Sequence, residues 1–116
     1  MIFEKANTKF TIARFTTPTL TFKFGAFSVD EMTNAKLNMN IRGERYVTKD
    51  FSSAEVDSQA NTISWKLTQA ESGTLPEGRT GEVYCSWLYD DGTRGRSKYS
   101  EFLVVAAGEE GVMADV

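Results

Sequence analysis

The feature that most constrains this chain is its period. Apolar residues recur at every second position in segment after segment, which is the spacing of a strand with one buried face rather than that of a helix. The clearest run ends at Tyr89, with Val83, Cys85, Trp87 and Tyr89 on one side. Similar runs at 10–15, 19–24, 35–42, 45–50 and 61–67, with a return at 94–105, predict seven strands in all.

The punctuation between the runs is consistent with strands joined by short turns. Pro18 cannot donate to a ladder and marks a strand start or an edge. Arg42-Gly43-Glu44 turns the chain between 35–42 and 45–50, and Asp90-Asp91-Gly92-Thr93 turns it into the final return. The 45–50 strand is polar on both faces apart from Tyr46 and Val47, as suits an edge guarded by charge. Residues 25–34 read as a loop or short helical turn, and 51–60 as a break in the alternation. Thr68-Gln69-Ala70-Glu71 has the spacing of a capping box, so one helical turn follows the fifth strand, stopped by Gly73, Pro76 and Gly78.

The expected fold is all-β, an immunoglobulin-like antiparallel β-sandwich of about seven strands with one short helical turn, a small barrel being the competing architecture. Trp65 and Trp87 are expected in the core. At 116 residues the chain suits one domain, placed at 1–107, with a flexible C-terminal tail at 108–116.

Composition narrows the function classes. Thirteen basic and 16 acidic residues give a net charge of −3 with no basic stripe, so nucleic acid is not an expected partner. The longest apolar run, 102–107, falls well short of the roughly 20 residues of a spanning helix, and no membrane partner is expected. The start lacks a basic and apolar leader, pointing to the cytosol. The single cysteine, Cys85, lies in an apolar alternation and reads as a small buried hydrophobe.

No histidine is present, which removes the usual general base and the commonest metal ligand. No catalytic, cofactor or metal residues are assigned, and zinc lacks its ligand set. Among the carboxylates, Asp90-Asp91 fits a turn caging its own backbone, Glu109-Glu110 falls in the tail, and Asp30-Glu31 lacks the alternating acidic loop of a calcium site. Arg94, Arg96 and Lys98 alternate opposite Gly95, Ser97 and Tyr99, so they line one face, either simply solvated or serving as an anion or glycan site.

The order of motifs resembles a known group. Asn7, then Thr17-Pro18-Thr19-Leu20-Thr21-Phe22, then Ile63-Ser64-Trp65-Lys66-Leu67-Thr68-Gln69-Ala70-Glu71, then Gly81-Glu82-Val83, then Asp91-Gly92-Thr93 with Ser97, is similar to small phage and prophage virion proteins of Gram-positive hosts. In outline it also resembles the N-terminal domain of lactococcal phage baseplate upper proteins. The chain departs from that pattern at Gly73-Thr74-Leu75-Pro76. The resemblance implies a non-catalytic tail or baseplate component, located in a virion assembled in the bacterial cytoplasm, whose partners are other virion proteins and copies of itself. Tyr84 and Leu88, or Phe102 and Val104, would then supply contacts where they are not in the core. The alternative from the residues is an immunoglobulin-like carbohydrate- or surface-binding module, using Trp65, Trp87, Tyr84 and Tyr89 as stacking platforms. An enzyme built on scattered carboxylates is the third reading.

Overall fold

The computed structural model describes residues 2–3 (of Ile2, the backbone alone), 9–25, 28–97 and 100–107. The alternating segments become strands: β1 (Ile2–Phe3), β2 (Lys9–Ala13), β3 (Thr19–Lys23), β4 (Met32–Ile41), β5 (Glu44–Asp50), β6 (Glu55–Asp57), β7 (Thr62–Lys66), β8 (Thr80–Tyr89), β9 (Arg94–Arg96) and β10 (Ser100–Val105). They form a sandwich, with one sheet in the order β1-β3-β7-β6 and a larger one in the order β2-β10-β8-β4-β5, β9 pairing with β8. The helical turn is α1 (Gln69–Gly73). No helix among the described residues is long and apolar enough to cross a membrane. The proposed tail, 108–116, lies outside the described residues, as do Lys98 and Tyr99.

The sandwich is as expected, but the strand count is higher than seven and the pairing is not wholly antiparallel. The short β1 and β6 carry too few residues for alternation to register, and β6 lies within the stretch read as a break. The long return strand is divided into β9 and β10. Two pairs are parallel, β1 with β3 and β10 with β2. Each joins strands separated by a crossover, a relation that hairpin signals cannot reveal.

The core lies between the sheets. Leu20 and Phe22 of β3 and Ile63 and Trp65 of β7 face Leu37 and Met39 of β4 and Val83 and Cys85 of β8, all at or near zero exposure. Aromatic rings bridge the layers: Phe3 lies 4.8 Å from Phe22 and 5.2 Å from Phe10, and Phe10 lies 6.1 Å from Phe102. The Trp65 indole meets Phe22 edge-on at 5.9 Å and donates to the Asp50 carbonyl at 3.0 Å, which satisfies its one polar atom in a buried place.

Local signals close the connections. Arg42 and Gly43 both have positive φ, 52° and 80°, and join Ile41 to its partner Glu44, the two-residue turn whose twist matches an antiparallel pair. The Thr68 hydroxyl accepts the Glu71 N–H while the Glu71 carboxylate accepts the Thr68 N–H, completing the predicted capping box. Lys49 of β5 ties that helical turn to the larger sheet, donating to Glu71 Oε1 at 2.9 Å and to the Lys66 carbonyl at 2.8 Å. Beyond α1 the chain is not merely a loop, because Leu75 is fully buried.

Candidate functional site

The inward positions of the larger sheet are filled by core, so any site on it must use the outward positions. On β8 these are Glu82, Tyr84, Ser86 and Leu88. Register sets Asn40, Asn38, Lys36 and Asn34 of β4 beside them, and Arg96 and Arg94 of β9 beside Ser86 and Leu88 on the other flank. The remote β4 and the β8–β9 hairpin thus bring Lys36 and Arg94 to the two walls of one groove. It encloses about 340 Å³ and is lined also by Asn34, Ser86 and Leu88.

Next to the groove, Tyr84 stands between two guanidinium groups. Arg96 lies 4.7 Å over its ring, and Arg45 Nη2 donates to its hydroxyl at 3.1 Å while Arg45 Nε donates to Asn40 Oδ1 at 3.3 Å. A cation over an exposed ring contributes about 0.5–1 kcal/mol, enough to bias where the arginine rests. The buried Asn38 donates to Ser86 Oγ at 3.2 Å, fixing the groove floor. Lys36, Arg94 and Arg96 make no ion pair with any described residue, although Asp50 stands opposite Lys36 in the ladder. Beneath β9, Gly95 leaves room for the Trp87 indole: a Cβ there would come within 2.6 Å of the indole nitrogen.

The other residues singled out from sequence are not drawn to this place. Phe102 and Val104 are 1% exposed and belong to the core, so they supply no contact surface. Tyr84 and Leu88 do lie on the outward face, half-buried. The aromatics named for sugar stacking do not share a face among the described residues. Trp65 is wholly buried, Tyr89 is buried, and Trp87 packs edge-on against Phe24 at 5.1 Å on the inner side of the sheet. Cys85 is buried, and loss of solvation pushes its thiol up to about 12, the behaviour of a packing residue. Asp91 accepts the Thr93 N–H at 2.8 Å, and that backbone bond, with one from the Thr93 side chain, holds its carboxyl below the usual range. The Asp90-Asp91 pair is turn chemistry. At the far end of the sheet a recess of about 180 Å³ holds Arg42, Glu82 and Glu101, the two glutamates facing each other across β8 and β10. Among the described residues no group of three or more cysteines or acids is placed to hold a metal.

No family model matches the chain, and no curated protein matches it. Solved structures do match. The chain is similar in fold to CopC. The crystal structure of CopC from Methylosinus trichosporium OB3b aligns with a TM-score of 0.55 over 92% of this chain and 91% of that one, at 16% identity. A CopC-like sandwich overturns the functional reading drawn from motif order, a phage tail or baseplate component with a carbohydrate- or surface-binding module as its alternative. CopC is not a phage protein, and no family or curated match links the chain to a virion.

The groove was legible only in part. The alternation of Arg94 and Arg96 put both on one face, but nothing local to Lys36 indicates that β4 carries it to the opposite wall.

Proposed function

We propose that this chain is a non-catalytic binding module that holds an anionic, carboxylate-bearing ligand on the outward face of its larger sheet. The observation that carries this reading is the groove between Lys36 and Arg94, floored by Ser86 and flanked by the Arg96–Tyr84–Arg45 stack, whose wall cations have no ion-pair partner among the described residues. Tyr84 holds the arginines beside the groove, and the Ser86 and Asn34 side chains add neutral hydrogen-bonding groups. Exposed ion pairs contribute about 0.2–1 kcal/mol each, so two or three such contacts give weak, salt-sensitive affinity, on the order of ten millimolar or weaker for a small ligand.

The likeness to CopC raises a metal-handling reading, and the residues here do not fit it. The chain has no histidine, its one thiol is buried and held protonated, and the described acids do not converge.

Titration with glutarate at low ionic strength tests the proposal. Amide resonances of Lys36, Ser86 and Arg94 should shift together, the shifts should fade as salt is raised, and the Lys36→Glu/Arg94→Glu double variant should lose them. Shifts that are absent, or that survive the double charge reversal, would sink the reading.

A further inference from the structure

Among the described residues, the strand that forms one wall of the groove has no neighbour on its outer edge. Tyr89 donates its N–H to the Thr93 carbonyl at 2.9 Å, and Ser97 donates to the Cys85 carbonyl at 2.8 Å. In an antiparallel ladder the bonded pairs alternate with unbonded ones. The register Ser86 with Arg96, Trp87 with Gly95 and Leu88 with Arg94 therefore directs Gly95 toward β8 and turns the N–H and C=O of Arg94 and Arg96 away from it. On that side of β8, β2 covers β10 from Glu101 to Val105, its first partner being Lys9, and no described strand pairs with the outer edge of β9.

From this geometry, and resting on the anion reading above, we infer that the ligand is an extended acidic segment of a partner polypeptide that adds as a strand to the outer edge of β9. Its backbone bonds the outward groups of Arg94 and Arg96, and carboxylates at alternate positions lie beside the two guanidinium side chains. Charge decides the occupant. A second copy of this chain added through the same strand would set arginine against arginine in either direction, and like charges directly opposite are destabilising. An acidic strand gives attraction at the same positions and also reaches the groove that Arg94 borders. The open edge is short and guarded by two arginines, which keeps it from pairing at random while leaving it selective for a partner of opposite charge.

Two blocked peptides of the same composition and charge test the inference: one strictly alternating glutamate with threonine, the other with its glutamates in one block. The alternating peptide should bind at least several-fold more tightly and should slow hydrogen exchange at the Arg94 and Arg96 amides in the unaltered protein. Arg94→Gln removes one charge and should weaken binding a few-fold. Arg94→Pro removes the same charge together with an outward N–H not used by the β8 ladder, and should weaken binding further, with unchanged resonances elsewhere reporting an intact fold. Equal binding of the two peptides, or unprotected Arg94 and Arg96 amides at saturation, would overturn strand addition. If glutarate still shifts Lys36 and Arg94 in that case, the anion-binding groove stands without it. If neither glutarate nor peptide binds, both readings fail.

Discussion

At the scale of single residues, the most restrictive position is a glycine. Gly81 faces the core from β8, and a Cβ there would meet the Asn40 carbonyl oxygen at 2.5 Å, Phe102 at 2.5 Å and Ile41 at 2.7 Å. One of those neighbours is backbone and the other two are packed core, so none can yield cheaply. Gly81→Ala is expected to cost about 1–3 kcal/mol by overpacking, despite alanine's better strand propensity, and urea denaturation measures it. A change under 0.5 kcal/mol would mean that β4 and β8 can separate locally to admit a methyl group. The residue scale also shows how far pattern reading reaches. The alternation placed Cys85 inward and the structure buries it, but no pattern distinguishes Gly81 from an ordinary strand glycine until Phe102 is set across from it.

At the scale of elements, α1 is only five residues long, and it forms because its end is capped and pinned rather than because of intrinsic helicity. Glu71 is central to both devices. Burial raises its pKa, but the Thr68 backbone N–H, the Lys49 hydrogen bond and charge, and the Thr68 hydroxyl together outweigh that and hold the carboxyl below its ordinary value of 4.5. A depressed carboxyl pKa stabilises the fold above the unfolded value, and this contribution disappears as pH falls from there through the folded value. Glu71→Ala should therefore cost about 1–2 kcal/mol at neutral pH, and the gap from the unaltered protein should narrow below pH 4.5. Denaturant melts at neutral and acid pH decide it; a gap constant with pH would show that Glu71 acts by packing alone. The capping box was legible because its partners are three residues apart. Its anchor was not, because Lys49 and Glu71 are 22 residues apart and meet only when β5 and β7 are in place.

At the scale of the whole molecule, the core extends past its strands into the connection after α1. Leu75, in a segment that reads as turn residues, is fully buried, so Leu75→Ala should cost about 2–5 kcal/mol as a core truncation does. That is a large share of the roughly 5–15 kcal/mol that holds a small domain together. Calorimetry should find one lowered cooperative transition, and a melting temperature indistinguishable from the unaltered chain would remove Leu75 from the core. Legible from the chain alone were the all-β class, the inward faces of β3, β4, β7 and β8, the Arg42-Gly43 and Asp90 to Thr93 turns and the capped helical turn. All of these follow from the two-residue period or from contacts within a few residues. Folding in three dimensions set the rest: the parallel pairs, the strands β1 and β6, the burial of Phe102, Val104 and Leu75, and the meeting of Lys36 with Arg94 across β8. Those depend on which distant strands pair and in what register, and that is settled by the burial of whole faces against one another, which no local pattern encodes.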